Sequence, residues 1–349
     1  GRSTVTFSGA SGNALAIVSG GSFDFLVADM QAGTLIFSTN VTVASTMTLL
    51  SGSLDLSASS VTVRGGWNET GGTVVGGTSR VLFNGAAAQT VIQRPGSTFG
   101  AFISSSSVSL TIAGPLSTTR EFEWHRGALN FAGRALSIRG DMLNMSGATA
   151  ATAGSTTTLV AASTQNVTFA ALDSVVIDNA DPAGVRLGVN ASWGSFTINP
   201  GRTFDGGSRS LTIVGSTWST AGANYLSIPQ QHSVTWSPPT SIFVTSGSMV
   251  NAKLSLSINK TAVLQGGLFI DGAGNSFDPK QGSSVVNAAG GSMITFRGSA
   301  DLIPSAGSNW FYNGDVANSW LVFQGTGSAR GSAISTNTFG NIQVALNSV

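Results

Sequence analysis

One short phrase recurs along this chain, and such internal repetition restricts the possible fold more than any other feature. The phrase is apolar-x-Phe-x-Gly, and its copies are Val5-x-Phe7-x-Gly9, Val81-x-Phe83-x-Gly85, Ile294-x-Phe296-x-Gly298 and Leu321-x-Phe323-x-Gly325. In three copies another phenylalanine follows sixteen residues after the first, at Phe23, Phe99 and Phe339. Repetition at a fixed spacing predicts stacked units, each of which buries its apolar face against a neighbour.

A second phrase gives the length of the unit. Gly-x-apolar-x-apolar begins at Gly52 and again at Gly127, and an apolar-x-apolar-x-Gly phrase follows each copy at identical offsets, ending at Gly65 and at Gly140. The Ser/Thr-Phe phrases at Phe23, Phe99 and Phe169 have nearly the same spacing. We interpret the chain as about 4.5 repeats of 70–76 residues.

The apolar residues within each unit alternate with polar ones, which is the signal of β-strands. Short bursts of period two occur at Leu54/Leu56, Val61/Val63 and Leu136/Ile138, with Gly, Ser, Asn and Asp clustered between them. No stretch of ten or more residues has a helical period. The sequence therefore predicts an all-β chain, either a β-solenoid or, as the alternative, a row of small β-sandwiches.

The close spacing of the strands favours the solenoid. Coils of roughly 20–25 residues would place about three coils in each unit, which gives roughly fifteen coils stacked about 4.8 Å apart. We expect a single-stranded parallel β-solenoid, a right-handed β-helix, that is continuous over 1–349, with an irregular insertion near 300–318. Because both ends lie within the repeat pattern, we expect a segment of a longer protein.

Composition restricts the partners. The chain has 16 basic and 15 acidic residues and a net charge of +1, so it lacks the basic surface that nucleic acid or an anionic membrane requires. No apolar run approaches the length of a membrane-spanning helix. Cysteine is absent, which suits an oxidising extracellular compartment. The 41% hydrophobic residues alternate with polar ones, which favours a buried core over disorder.

The densest charged cluster is the segment 120–126, in which Glu121, Glu123 and His125 would share one face of a strand. Two carboxylates and an imidazole suit acid–base chemistry or metal binding. However, alignment of the repeats places Phe122 and Trp124 at inward positions, so the carboxylates point outward. We favour a charged patch on a solvated strand, and a polysaccharide-active site is the alternative.

Two other groups of residues are candidate sites. Asp173, Asp178 and Asp181 form an acidic run, and 271–278 is rich in oxygen ligands, so calcium binding is an alternative to turn formation. Trp67 and Trp218 follow equivalent phrases, which predicts one shared structural position and a packing role. We therefore predict no catalytic, metal-binding or cofactor-binding residue and no cofactor.

The sequence resembles a known class of proteins. Strings such as Arg80-Val-Leu-Phe-Asn-Gly-Ala-Ala-Ala-Gln-Thr-Val91, followed by Ser97-Thr-Phe99, resemble degenerate repeats of giant bacterial surface proteins of the filamentous haemagglutinin-like and autotransporter-passenger classes. This resemblance covers nearly the whole chain, and it implies a right-handed β-helix, export and surface display.

The expected function is structural. We expect an extracellular, non-enzymatic solenoid that acts as a stiff spacer or as a polymer subunit joined end to end, and terminal coils that pair with neighbouring segments or with further copies. The alternatives are a glycan-binding adhesin that uses aromatic side chains on its flank and, less favoured, a polysaccharide-active enzyme.

Overall fold

The chain folds as a parallel β-solenoid without helices in its described part, which confirms the predicted fold class. The computed structural model describes residues 3–9, 15–57, 59–207 and 209–214, and after residue 214 it describes the backbone of short strands up to residue 345. The chain divides into two compact units. Unit 1 comprises Gly1–Ala161 and Gln165–Leu172, and unit 2 comprises Ala162–Thr164 and Asp173–Val349. The continuity of one solenoid over 1–349 stays a prediction.

Short strands make up unit 1, most of them three to five residues long. In chain order they are β1 (Thr4–Ser8), β2 (Leu15–Val18), β3 (Gly21–Phe23), β4 (Phe25–Phe37), β5 (Val41–Val43), β6 (Met47–Asp55), β7 (Ser60–Val63), β8 (Trp67–Glu69), β9 (Thr73–Val75), β10 (Arg80–Phe83), β11 (Gln89–Ile92), β12 (Ala101–Ser104), β13 (Ser109–Ile112), β14 (Leu116–Thr118), β15 (Phe122–Trp124), β16 (Ala128–Asn130), β17 (Ala135–Ile138), β18 (Met142–Asn144), β19 (Thr156–Leu159) and β20 (Gln165–Val167).

Three sheets of parallel strands form the faces of the coils in unit 1. Sheet 1 has the order β1-β4-β6-β8-β11-β13-β16, and β2 and β9 pair with the second halves of β4 and β6. Sheet 2 has the order β3-β5-β7-β10-β12-β15-β18-β20, and sheet 3 has the order β14-β17-β19. Each strand pairs with the strand of the next coil, so every coil is shaped by its neighbours.

The interior of unit 1 is a set of vertical columns of apolar side chains. One column of sheet 2 contains, in register from coil to coil, Val61, Val81, Phe102, Phe122 and Met142. All five side chains are fully buried. The rings of Phe102 and Phe122 stack with centroids 5.0 Å apart and planes 4° apart. Stacking of like side chains therefore fills the narrow core, as the alternation predicts.

The repeated phrases do not return to the same face of the coil. Val81 pairs with Val61 in the coil before it and with Phe102 in the coil after it. One coil therefore takes roughly 20 residues, which is at the short end of solenoid repeats. At this length the phrases ending at Gly65 and Gly140 are separated by about three and two-thirds coils. The first phrase accordingly lies in β7 of sheet 2 and the second in β17 of sheet 3. The expected number of about three coils per unit is therefore corrected to about three and two-thirds.

About ten turns of the solenoid are described in full. This number differs from the fifteen coils expected for the whole chain, and only short strands are described after residue 214. The irregular insertion expected near 300–318 lies mostly outside the described residues, which there include only the short strands Asp301–Leu302 and Phe311–Tyr312.

Unit 2 contains strands of the same kind, and β21 (Ala171–Ile177) lies at the junction of the two units. The others are β22 (Val185–Leu187), β23 (Ala191–Ile198), β24 (Thr203–Asp205), β25 (Ser210–Ile213), β26 (Trp218–Ser219), β27 (Ala223–Leu226), β28 (Ser233–Trp236), β29 (Gly247–Val250), β30 (Lys253–Leu254), β31 (Ala262–Leu264), β32 (Gly267–Asp271), β33 (Ser276–Phe277), β34 (Val285–Ala288), β35 (Met293–Gly298), β36 (Asp301–Leu302), β37 (Phe311–Tyr312), β38 (Trp320–Gly325) and β39 (Asn341–Ala345).

The strands of unit 2 also pair in parallel. One sheet has the order β22-β24-β27-β29-β32-β35-β38-β39, and another has the order β21-β23-β25-β28-β30, with β26 paired to β23. Smaller sheets join β31-β34-β37 and β33-β36. Where side chains are described, the core contains Trp193, Phe196 and Phe204, whose ring centroids lie 4.9–5.9 Å apart.

Candidate functional site

The charged patch predicted around Glu121, Glu123 and His125 lies on the outer side of sheet 2. His125 Nε2 is 2.8 Å from Glu123 Oε2. Arg80 reaches both carboxylates, with Nη1 3.7 Å from Glu121 Oε1 and Nη2 3.8 Å from Glu123 Oε2. Arg120 Nε lies 3.3 Å from Glu121 Oε2. Each carboxylate therefore faces at least one cationic or titratable nitrogen.

The ladder of sheet 2 explains how this patch forms. Arg80 pairs with Ala101 in the next coil, and the register of β12 with β15 places Ala101 next to Glu121 in the coil after that. The small side chain of Ala101 leaves room for Arg80 to reach across it. Phe122 and Trp124 are fully buried on the opposite side of the strand, which confirms the predicted orientation. The geometry is that of a network of ion pairs on a strand surface.

The predicted acidic run of unit 2 takes part in other contacts. Asp178 Oδ1 accepts a hydrogen bond from Arg202 Nε at 2.9 Å. Asp181 Oδ1 accepts one from the backbone N–H of Ala183 at 2.8 Å, which is the pattern of an Asx turn. Among the residues that the structure describes, no three His, Asp or Glu side chains are grouped so that they could hold a metal ion. The side chains of 271–278 lie outside the described part.

Tryptophan side chains of the described part are core residues. Trp67, Trp124 and Trp193 are at most 1% exposed. The packing role predicted for Trp67 is confirmed, but its shared position with Trp218 is wrong. Trp67 lies in β8 of sheet 1, whereas Trp218 lies in β26, which pairs with β23 in a different sheet. The cause is again the repeat length, which is not a whole number of coils.

A groove of about 250 Å³ runs between the loop 93–97 and the outer side of sheet 3 in unit 1. Three hydroxyl side chains, from Ser117, Ser137 and Thr158, line it in register from coil to coil. The exposed Arg94 stands on the rim, where its Nη1 donates to the carbonyl of Thr70 at 3.2 Å. Because adjacent strands lie about 4.8 Å apart, these hydroxyl groups form a ladder in a groove whose lining is otherwise mostly apolar.

A buried carboxylate holds the loop that forms one wall of this groove. Glu69 is only 3% exposed. Its Oε1 accepts a hydrogen bond from Trp67 Nε1 at 2.8 Å, and its Oε2 accepts one from the backbone N–H of Arg94 at 3.0 Å. Burial raises the pKa of Glu69 above its ordinary value near 4.5, although hydrogen bonds from Arg94, Ser97 and Trp67 act in the opposite direction.

Neither Glu69 nor two buried glutamines were predicted from the sequence. Gln89 Nε2 donates to the carbonyls of Val63 at 3.0 Å and Gly65 at 2.6 Å. Gln165 Nε2 does the same to Ile138 at 2.9 Å and Gly140 at 2.7 Å. The phrase Gln-x-Val, which occurs at both positions one sequence repeat apart, was the available signal.

Each of these glutamines bridges two carbonyls at a corner of the coil, and we call this repeated arrangement the glutamine device. Each is at most 2% exposed and donates to two carbonyls of the coil below, so that its own buried amide is satisfied. The first device follows β7 of sheet 2 and the second follows β17 of sheet 3, so it serves two different corners. Their role is structural.

No family model, curated protein or solved structure significantly matches this chain. The described residues contain no helix that is both long enough and apolar enough to cross a membrane. The class of protein is therefore defined by the fold alone, and the chain is a parallel β-solenoid protein with repeated sequence phrases.

Proposed function

We propose that this chain is a structural segment of an extracellular bacterial surface or fibre-forming protein, in which it acts as a mechanical spacer or polymer subunit. The observation that carries the proposal is the construction of unit 1, where parallel ladders join successive coils on three faces around an interior of mainly apolar side chains. Each coil is stabilised by its neighbours, so the chain resists local opening along its length. The absence of cysteine and the resemblance to surface proteins support the extracellular location.

The chemistry of the described side chains supports a scaffold better than an enzyme. Glu121 and Glu123 are the carboxylate pair that the alternative, a polysaccharide-active enzyme, would use, and both are engaged by Arg80. The buried Glu69 is held by Trp67 and by the Arg94 amide, so it anchors a loop. In the described ranges these polar groups serve to connect neighbouring coils.

Stretching single molecules between their termini tests the mechanical role. Since a coil takes roughly 20 residues, peeling one coil releases about 70 Å of chain at about 3.5 Å per residue. We expect a series of steps that are multiples of this length. Extension at low force without steps would contradict a load-bearing role.

The first coil supports the proposed pairing with neighbouring segments or further copies. In the described part, β1 and β3 lie at the ends of their sheets, and β2 pairs only with β4. Such open edges invite the addition of further strands. Leu15 and Ile17 on β2 are 62% and 61% exposed, and a coil stacked on this edge would partly cover them.

A single substitution tests this edge. The carbonyl of Ser3 accepts a hydrogen bond from the N–H of Phe25, and the N–H of Gly9 donates one to the carbonyl of Asp29. The backbone N–H and C=O groups of the odd-numbered residues of β1 therefore face β4. By the alternation of a parallel ladder, the N–H of Thr6 faces the open edge. Thr6→Pro removes this donor and leaves the ladder with β4 intact.

Sedimentation of the full chain over a range of concentrations gives the readout. We expect the wild-type protein and the control Thr6→Val, which keeps the N–H, to associate as concentration rises. Thr6→Pro should remain closer to the monomer mass of 35.3 kDa. Equal behaviour of the two variants, or a wild-type protein that stays monomeric, would refute pairing through this edge.

A second candidate function, glycan binding, rests on the groove of unit 1. The hydroxyl ladder of Ser117, Ser137 and Thr158 beside Arg94 suits a polar chain of sugar rings. Aromatic stacking on the flank receives no support from the described tryptophans, which are buried. A glycan array compares the wild type with Ser137→Val and with the control Thr111→Val on sheet 1. Loss of binding only in Ser137→Val would support the groove, and no binding by the wild type would refute it.

A further inference from the structure

The corner after β10 contains a dipeptide, Asn84-Gly85, that is chemically vulnerable. The chain has two Asn-Gly dipeptides, and the other is Asn313-Gly314. A Cβ atom on Gly85 would collide with the backbone carbonyl oxygen of Arg64 in the coil below. Only glycine fits this close approach of two coils, so the fold itself requires the least hindered residue after Asn84.

The reaction of such a dipeptide is deamidation through a cyclic imide. The backbone nitrogen of Gly85 attacks Cγ of Asn84, so that a new N–Cγ bond forms and the Cγ–Nδ2 bond breaks. The proton of the Gly85 N–H leaves with Nδ2 as ammonia. Water then opens the imide at either carbonyl and produces aspartate or isoaspartate, without any oxidant or reductant.

The surroundings of Asn84 leave its side-chain oxygen unbonded but hold the attacking nitrogen. Asn84 Oδ1 is buried and accepts no hydrogen bond. The Gly85 N–H, in contrast, donates to Oε1 of Gln89 at 2.8 Å. Gln89 is itself fixed, because its Nε2 donates to the carbonyls of Val63 and Gly65. An amide that keeps this bond keeps its proton and its orientation away from Cγ.

We infer that Gln89 suppresses deamidation at Asn84, so that Asn84 is a modification site whose reaction is prevented by one buried side chain. Isoaspartate at position 84 would add one carbon to the backbone directly after β10. The neighbouring Phe83 is fully buried and depends on the register of this strand. The hydrogen bond to Gly85 thus protects a place where one chemical event would disrupt the stacking of coils.

The chain supplies a matched control in Gln165. This residue fixes the Ile138 and Gly140 carbonyls as Gln89 fixes those of Val63 and Gly65. However, no Asn-Gly dipeptide lies beside it. Gln89→Met and Gln165→Met therefore remove equivalent carbonyl contacts and keep similar side-chain volumes, and only the first releases the amide of Gly85.

The experiment incubates the full-length wild type and both variants at mildly alkaline pH and maps deamidation by peptide mass spectrometry. We expect Asn84 in Gln89→Met to deamidate about tenfold faster than in the wild type, the effect of losing one hydrogen bond. Gln165→Met should match the wild type at Asn84. Asn313 provides an internal reference and should react at one rate in all three proteins.

Hydrogen exchange at Gly85 provides a second measurement on the same samples. The amide should be protected in the wild type and in Gln165→Met, and it should exchange faster in Gln89→Met. An unchanged rate at Asn84 in Gln89→Met would overturn the inference. An equal rise in Gln165→Met would also overturn it, because general loosening of the coils would then explain the reaction.

Discussion

Truncation of Phe122 tests the stacked core most directly. Its ring is fully buried and contacts three other rings, those of Phe102, Phe131 and Phe169, at centroid distances of 5.0, 6.0 and 5.8 Å. Burial of a phenylalanine removes on the order of 200 Å² from water, which at about 25 cal/mol per Å² gives about 5 kcal/mol as an upper estimate. Measured Phe→Ala losses in cores run from about 3 to 5 kcal/mol. We expect Phe122→Ala to cost about 4 kcal/mol.

Local hydrogen exchange is the suitable assay because coils interact only with their neighbours and global unfolding of such a chain has no single midpoint. A loss of about 4 kcal/mol corresponds to exchange roughly a thousandfold faster at the amides of β12, β15 and β18. Strands of distant coils, such as β5, should change little. Phe122→Leu keeps most of the volume and should cost less than about 1.5 kcal/mol.

Phe7 provides the control for this prediction. It is partly exposed and contacts the ring of Phe23 at a centroid distance of 6.4 Å, so Phe7→Ala should cost much less than Phe122→Ala. An effect of Phe122→Ala below about 1 kcal/mol would refute the stacked core. A uniform increase in exchange along the chain would refute the dependence of each coil on its neighbours.

Three further changes have defined outcomes. Burial raises the pKa of Glu69, so this carboxyl contributes stability that is fully present below its ordinary value near 4.5 and is lost as pH rises through the folded pKa. The protection of the β8 amides against hydrogen exchange in the wild type, relative to Glu69→Gln, should therefore fall from acid to neutral pH. Gly65→Ala places a Cβ against the Ser45 carbonyl oxygen and should cost about 1–3 kcal/mol, measured by hydrogen exchange at the amides of β5 and β7. The pair of Arg202 with Asp178 is partly exposed, so Arg202→Ala should cost less than about 1 kcal/mol in local exchange.

Much of the fold follows from local patterns in the sequence. Alternation at Val61/Val63 and Leu136/Ile138 correctly identified strands and their buried faces, because a strand with one buried face must alternate. The length of a coil also followed from strand spacing. The face of the coil on which each repeated phrase lies could not be predicted from the sequence. It depends on whether one sequence repeat makes a whole number of coils, and a difference of a few residues in the length of a coil decides this.

The candidate sites were harder to predict than the fold. The orientation of Glu121 and Glu123 was predicted from Phe122 and Trp124, yet their partner Arg80 lies two coils away, and only the register connects them. Glu69 resembled any exposed glutamate in the sequence. Its burial results from the inward side of β8, where the indole of Trp67 and a loop amide satisfy it. Contacts between coils therefore escape analysis of single strands.

The glutamine device at two different corners has a consequence for how such a chain can grow. A stretch of gene that encodes one sequence repeat does not need to match the period of the winding in order to be duplicated. A copy that carries the glutamine and its glycine can form an equivalent corner on a different face of the coil, as Gln89 and Gln165 do. The number of coils can then change through unequal recombination at many points in the gene. Natural selection can thus adjust the length of the solenoid without changes to the side chains of its core.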